Sequence, residues 1–179
     1  MRDVVAYMLL SLDGVAETPD QFVLDFDEVM YDNLRAVIAS QDAVLLGRAM
    51  YEEWSTYWPD SDHEPFAGFI NAVPKYVATA RPFEPGWNAT TVVDGSFEDV
   101  VRELKGRPGG DIGVHGSLTL TSSLLAADLV DRLRLVVAPV AVGEGRRLWD
   151  GARDPQRWEL ERVVGTPSGS MLADYRARR

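Results

Sequence analysis

Short apolar runs alternate with helix-like apolar spacings along most of this chain of 179 residues. Val4–Leu10 is a continuous apolar run, whereas Met30, Leu34, Val37 and Ile38 recur with the spacing of one helix face. Because the buried faces of a sheet are covered by helices in such a chain, the alternation predicts an α/β domain. We expect one domain over residues 1–179, since the length is close to that of a single domain.

The rest of the chain extends this pattern. Further strands are predicted at Ala43–Leu46, Lys75–Thr79 and Asp111–Val114, and further helices over Phe97–Leu104 and after Ser117.

The last third differs, because its apolar residues alternate with charged ones. A strand is predicted around Leu133–Val137, followed by a hairpin of Arg157–Val164 and Met171–Tyr175 around the turn Gly165–Gly169. The sheet should therefore be mostly parallel but mixed, with helices on both faces and an antiparallel C-terminal hairpin. The longest loop is expected over Thr56–Gly68.

Composition excludes several classes of protein. The net charge of −10 argues against nucleic acid and anionic membranes as partners, since phosphate-rich surfaces require basic protein surface. The chain has no cysteine, and its only histidines are His63 and His115, so no metal site is expected. The N-terminus shows no signal-peptide pattern, and a cytoplasmic protein is predicted.

Familiar nucleotide motifs are missing from the sequence. Gly143–Leu148 is the closest match to a Rossmann fingerprint, but it lacks the third glycine and no helix start follows it. Neither a Walker A loop nor a Gly-x-Ser-x-Gly nucleophile elbow is present. Arg146 and Arg147, within this match, are expected on an exposed loop.

Polar turns nevertheless follow three of the predicted strands. Gly47–Arg48 and His115–Gly116–Ser117 each join a strand to a helix, and Thr79–Ala80–Arg81 ends a third strand. Glycine lets a ligand approach the backbone, a helix start offers free N–H groups, and arginine binds phosphate. Either these are plain turns or they together hold a dinucleotide at the carboxyl edge of the sheet.

These motifs, in their order, resemble the dihydrofolate-reductase-like superfamily. The resemblance rests on Ser11–Gly14, Leu46–Glu52, Pro74–Val77 and the run Asp111–Trp149. The branch most similar to this chain is the reductase domain of the bifunctional riboflavin-biosynthesis deaminase–reductase, without its deaminase half. The similarity covers essentially the whole chain and implies a three-layer dihydrofolate-reductase-like fold.

The resemblance also implies a function. It implies an NADPH-dependent reductase of a small heterocyclic substrate, similar to 5-amino-6-(5-phosphoribosylamino)uracil reductase, with an aminopyrimidine or pterin-like substrate. The alternatives are dihydrofolate reductase activity and a nucleotide-binding protein without turnover. The residues implied at the cofactor are Gly14, Gly47, Arg48, Thr79, Arg81, Gly116, Ser117 and Leu118, with Arg48 facing the 2′-phosphate. Asp13, in the loop that closes over the nicotinamide, is the candidate catalytic residue.

For several other candidate residues the sequence allows two interpretations. Asp27 either anchors a pterin, as a helix carboxylate does in dihydrofolate reductases, or complements the dipole of the first helix. His115 is either a proton donor or a strand-end residue held by a hydrogen bond. Trp54, Tyr57 and Trp58 either form the wall of a flat-substrate pocket or pack the loop.

A homodimer is the expected assembly, as is common in similar proteins. Leu133, Leu135 and Val137 on one strand, with Leu160 and Val164 on another, give the C-terminal strands apolar residues. A sheet face that the chain's own helices do not cover would be buried in a two-fold dimer.

Overall fold

The computed structural model describes residues 1–150 and 154–178, which form one eight-stranded sheet with helices on both sides. The strands are β1 (Val4–Leu10), β2 (Gln41–Gly47), β3 (Lys75–Ala78), β4 (Thr90–Val93), β5 (Asp111–His115), β6 (Arg132–Val137), β7 (Trp158–Gly165) and β8 (Met171–Ala177). The α-helices are α1 (Glu28–Ala39), α2 (Arg48–Tyr57), α3 (Phe66–Ala72), α4 (Phe97–Gly106) and α5 (Leu118–Ala126).

The strand order is β4-β3-β2-β5-β1-β6-β8-β7, with β1 between β5 and β6. All pairs from β4 to β6 are parallel, whereas β8 runs antiparallel to both of its neighbours. The mixed sheet with an antiparallel C-terminal hairpin is therefore confirmed. Since the strands from β1 to β6 are parallel, their carboxyl ends share one edge of the sheet, which we call the carboxyl edge.

Two cores lie on opposite faces of the sheet because the side chains of each strand alternate. On β1, Val4 and Met8 pack against α4 and α5, whereas Val5 and Tyr7 pack against α1 and α3. Both sets are nearly inaccessible to solvent, so the sheet is buried on both faces over its parallel part. The predicted three-layer arrangement is confirmed.

Two details differ from the sequence analysis. The sequence pattern does not predict β4, which is a short edge strand of four residues. The loop expected over Thr56–Gly68 is shorter, because α2 extends to Tyr57, a 3-10 turn covers Trp58–Asp60 and α3 begins at Phe66. Apolar spacing alone does not register such short elements.

The C-terminal hairpin leaves apolar residues exposed on one face. Leu133 is buried and Val164 packs on the α1 side, but Leu160 and Val163 are about half exposed. No helix among the described residues is long and apolar enough to cross a membrane.

Candidate active site

Two helices begin side by side at the carboxyl edge. The start of α2 follows Gly47 at the end of β2, and the start of α5 follows Ser117, just after β5. The Gly47 N–H donates a 3.1 Å hydrogen bond to Ser117 Oγ, which ties the two turns together. No side chain caps either helix, so their first N–H groups remain available to an anion.

Gly116, between these two helix starts, requires glycine. Its φ is +68°, and a Cβ there would lie 3.0 Å from Met50 Cε and 3.2 Å from Trp54 Cζ2. A side chain would therefore meet both a strained backbone and occupied space. The backbone of this turn is left open to close approach from the carboxyl edge.

Arg48 is held beside this turn by two contacts. Its Nε donates to Glu52 Oε1 at 2.7 Å, and its guanidinium lies over the Phe83 ring at 3.6 Å from the ring centroid. The exposed pair with Glu52 contributes little stability, so Arg48 is free to exchange it for a stronger anion. The planar group is thus oriented before any ligand binds.

The third polar turn lies next to Arg48, because Gly47 pairs with Ala78 at the end of β3. Thr79 Oγ1 accepts from the Arg81 N–H at 3.1 Å and donates to the Arg81 carbonyl at 2.8 Å. The hydroxyl of Thr79 is therefore used within its own turn, and Arg81 is exposed. The structure brings all three predicted turns to one edge.

Asp13 lies in the turn after β1, where its carboxylate accepts several hydrogen bonds. Ser11 Oγ donates at 2.7 Å, and the backbone N–H groups of Val142 and Gly143 donate at 3.0 and 2.8 Å. These bonds hold the pKa of Asp13 well below its ordinary value. Asp13 therefore joins two loops as an ionised acceptor, which is the opposite of what a proton donor requires. Gly14 follows with a φ of +83°.

Asp27 caps the first helix. Its Oδ1 accepts from the Met30 N–H at 3.0 Å, and its Oδ2 accepts from the Ser168 N–H, in the β7–β8 turn, at 2.9 Å. Burial alone would raise the pKa of Asp27, but the hydrogen bonds from Ser168, Thr166 and Met30 outweigh it and lower the pKa. Both oxygens are engaged by the protein, which favours the helix-dipole interpretation over the pterin anchor.

His115 points away from the carboxyl edge. Its Nε2 lies 2.8 Å from Gln41 Oε1, and the ring packs 5.2 Å from Phe66. The hydrogen bond crosses Gly113, where a Cβ would overlap the Gln41 amide oxygen. Burial lowers the pKa of His115 to about 3, so the imidazole is neutral and held by a side-chain bond.

Trp54 and Tyr57 on α2 pack against Trp58 of the following 3-10 turn, and Trp54 borders the Gly116 turn. Trp54 lies 5.8 Å from Trp58 and 5.5 Å from Phe66, between ring centroids. Tyr57 is half exposed and packs edge-on against Trp58. The contacts of all three show packing of the loop, and Trp54 also borders the strand-end turn.

Two arginines contribute to the site without a clear signal in the sequence pattern. Arg146 Nη2 donates to Thr119 Oγ1 at 2.9 Å, in the first turn of α5, and Arg147 Nε donates to the Asp13 carbonyl at 3.0 Å. Arg146 is exposed as expected, yet it lies at the uncapped helix start. The only sequence signal was two arginines after a Gly-x-Gly turn.

A cavity of about 320 Å³ lies elsewhere, at the opposite edge of the sheet. It is lined by Leu125, Val130, Trp158 and neighbouring residues, and it meets none of the three polar turns. The described residues contain no cluster of His, Asp and Glu side chains suited to a metal ion. We place the candidate site at the carboxyl edge because the glycine turns and free helix starts converge there.

The strand order, the antiparallel hairpin and the glycine turns define the class of protein, which is the dihydrofolate-reductase-like fold. Dihydrofolate reductase from Enterococcus faecalis, solved with NADP(H), has a TM-score of 0.63 at 14% identity, covering 99% of this chain and 97% of its own. A putative riboflavin biosynthesis protein from Shewanella sp. PV-4 has a TM-score of 0.77 at 16% identity, covering 99% of both chains. These likenesses show the fold.

The family follows from the sequence. The profile of the RibD C-terminal domain matches residues 2–172, so the chain belongs to the RibD C-terminal domain family. The uncharacterized protein YyaP of Bacillus subtilis strain 168 is 29% identical over 171 residues, which are 90% of this chain and 87% of that protein.

A larger enzyme contains the same fold as one part. The deaminase/5-amino-6-(5-phosphoribosylamino)uracil reductase of Thermotoga maritima has a TM-score of 0.67 at 15% identity, with 99% of this chain covering 57% of that protein. Family and fold together relate this chain to the reductase-type domains of such proteins. The predicted resemblance is confirmed.

Proposed function

We propose that this protein is an NADPH-dependent reductase of a small heterocyclic substrate. The observation that carries the proposal is the pair of uncapped helix starts, α2 and α5, tied together by the Gly47–Ser117 hydrogen bond. Two helix dipoles with free N–H groups suit a diphosphate, which carries negative charge on two neighbouring groups.

The residues at the carboxyl edge fit this cofactor. The open backbone of Gly116, with Ser117 and Leu118, would hold the diphosphate, and Arg146 would add a cation at the same helix start. Arg48 and Arg81 would face the 2′-phosphate, since a guanidinium binds phosphate through paired N–H groups. The acidic remainder of the protein supplies no competing positive field.

The bound cofactor would supply a hydride, and the substrate also needs a proton. In the balanced reaction a C=N or C=O bond, NADPH and one proton give CH–NH or CH–OH and NADP⁺. Asp13 and Asp27 remain ionised and His115 remains neutral, so none of the three is suited to donate that proton. We infer that water donates it, while the protein orients the reactants.

Energy transfer from tryptophan to bound NADPH tests the cofactor assignment, because Trp54 lies beside Gly116. Saturable binding at micromolar concentration is expected. Absence of saturable binding would overturn the proposal.

The missing proton donor favours one alternative, a protein that binds the nucleotide without turnover. NADPH binding without reduction of any pterin, pyrimidine or carbonyl compound would establish it. Dihydrofolate reductase activity is less favoured, because both oxygens of Asp27 already accept protein hydrogen bonds. Methotrexate binding that weakens in Asp27→Asn would restore that alternative.

We also propose that the protein is a homodimer. The half-exposed Leu160 and Val163 on β7, with Met171 on β8, form an apolar surface on the edge of the sheet. A two-fold contact would bury this surface and protect the edge strand. Sedimentation should give about twice the 19.8 kDa chain mass, and a monomer at micromolar concentration would overturn the assignment.

A further inference from the structure

The Gly143–Glu144–Gly145 match to a nucleotide motif forms a turn, in residues 142–147, which we call the arginine loop. Gly143 and Gly145 have φ angles of +88° and +122°, a region that favours glycine. A Cβ on Gly145 would lie 2.7 Å from Val15 Cγ1. The two glycines therefore let the arginine loop turn and lie directly on the segment that follows β1.

Backbone hydrogen bonds fasten the arginine loop to that segment. Val15 and Arg147 form an isolated antiparallel β-bridge, and the Ala16 N–H donates to the Arg146 carbonyl at 2.9 Å. Side chains alternate along a backbone that is paired in this way. The bridge therefore directs the side chains of Arg146 and Arg147 to opposite sides.

The two arginines are engaged very differently. Arg147 Nε donates to the Asp13 carbonyl at 3.0 Å, and Arg147 Nη2 donates to the Gly143 carbonyl at 3.2 Å. Among the described residues, the Arg146 guanidinium bonds the Thr119 hydroxyl and forms no ion pair. An exposed arginine without an acidic partner, in a protein of net charge −10, is thus held at the uncapped start of α5. Its remaining N–H groups are available to an anion.

Asp13 holds the arginine loop in place through its carboxylate. Its Oδ1 accepts from the Val142 N–H at 3.0 Å, and its Oδ2 accepts from the Gly143 N–H at 2.8 Å. Glu17 binds the other end of the loop, because its Oε2 accepts from the Arg146 N–H at 3.2 Å. The position of the Arg146 side chain is therefore set by the segment after β1.

Taking the proposed function as given, we propose that Asp13 is a positioning residue for the diphosphate of the cofactor, and that it acts by holding Arg146 at the start of α5. The diphosphate then lies between the free N–H groups of α5 and the Arg146 guanidinium. Asp13 does not touch the cofactor, since its oxygens are taken by the arginine loop. The low pKa of Asp13 suits this role, because only the ionised carboxylate accepts both N–H groups.

A double-mutant cycle tests this role. Binding of NADPH and of NADH is titrated for the natural protein, Asp13→Ala, Arg146→Ala and the double variant. Arg146→Ala should weaken both nucleotides to the same extent, by about tenfold or more, because the diphosphate is common to them. Asp13→Ala should give a similar loss for both. The double variant should bind no more weakly than Arg146→Ala alone, because Asp13 acts through Arg146.

Independent effects in the cycle would overturn the inference. If Asp13→Ala weakens binding by the same factor with and without Arg146, Asp13 supports the fold and not the arginine. Unchanged binding in either single variant would also overturn it. If the natural protein binds neither nucleotide, the proposed function itself fails, and the inference fails with it.

Asp99 and Arg102 provide a matched control, because they form an exposed acid–arginine pair on α4. Asp99→Ala and Arg102→Ala should leave the affinities for both nucleotides unchanged. Asp13→Asn serves if Asp13→Ala does not fold, since the amide keeps one acceptor oxygen but places an NH₂ group against the second N–H donor. It should weaken both nucleotides, and only while Arg146 is present. Full affinity in folded Asp13→Asn would contradict the positioning role.

Discussion

The helices α1 and α4 begin differently from α2 and α5. Asp27 caps α1 by accepting from the Met30 N–H, and Ser96 caps α4 by accepting from the Asp99 N–H at 3.2 Å. The helices α2 and α5 have no side-chain cap, although Ser117 stands at the N-cap position of α5. The hydroxyl of Ser117 accepts from Gly47 instead.

This difference separates structural helix starts from those available for binding. A cap satisfies the first N–H groups and stabilises the helix, so a helix with an uncapped start is less stable. The two uncapped starts lie next to each other at one edge, beside Arg48 and Arg146. A shared anionic ligand explains why both are left open.

The largest effect is expected from giving α2 the cap that it lacks. Gly47→Asp should fit, because φ is −78° and a Cβ would lie 3.6 Å from Ser117 Oγ. The new carboxylate would occupy the anion site, and we expect NADPH affinity to fall by about 3 kcal/mol, near the upper range for a charged hydrogen bond. The melting temperature should hold or rise. Gly47→Ala is the control, and unchanged binding in Gly47→Asp would contradict the model of two open starts.

Arg48 should determine the choice between cofactors. Arg48→Ala should weaken NADPH more than NADH by about 1.5–3 kcal/mol, because a guanidinium bond to the 2′-phosphate is lost. Titrations with both nucleotides measure the difference. Arg102→Ala on α4, which breaks the exposed pair with Asp99, should affect neither. Equal losses for both nucleotides would assign Arg48 a structural role.

The two serines at N-cap positions should behave differently. Ser96→Ala should lower the free energy of unfolding by about 1 kcal/mol and leave NADPH binding unchanged. Ser117→Ala should weaken NADPH binding, since it releases the Gly47 turn from the α5 start. Urea unfolding and nucleotide titration of both variants give the two values. A loss of stability without a loss of NADPH binding in Ser117→Ala would show that Ser117, like Ser96, serves only the stability of its helix.

The smallest effect is expected on the pH dependence of folding stability in acid. The pKa of Asp27 is lower in the folded protein than its ordinary value of 3.8, so the unfolded chain binds a proton more readily. The stability from this cap is therefore present above about pH 4 and is lost as the pH falls toward the folded pKa. Melts from neutral to acidic pH should show a shallower decline in Asp27→Asn than in the natural protein. An identical decline would show that the cap does not depend on charge.

Periodicity and turn residues predicted much of this structure. The continuous run of β1, the helical spacing of α1 and the alternating C-terminal strands all form as expected, because each pattern reflects which face a single element buries. The strand-end positions of Gly47 and Gly116 were predicted by the same local logic. The short β4 was missed, since four residues at a sheet edge carry too little pattern.

The roles of the polar side chains could not be predicted in this way. Asp13 and Asp27 were candidates for chemistry, but partners 130 and 141 residues away engage their carboxylates. The position of Ser117 before α5 predicts a helix cap, yet its hydroxyl accepts a hydrogen bond from Gly47, 70 positions away. Only the folded chain shows which of these groups are already satisfied.

The sequence by itself determined the α/β class, the net negative charge and the resemblance, through the order of its motifs, to the dihydrofolate-reductase-like superfamily. Those properties depend on neighbours in sequence, on length and on composition. The tertiary structure alone decided that the starts of α2 and α5 lie side by side and that the Ser117 hydroxyl bonds Gly47 instead of capping its own helix. The physical reason is that a hydrogen bond acts over about 3 Å, so its partners are set by how distant segments pack.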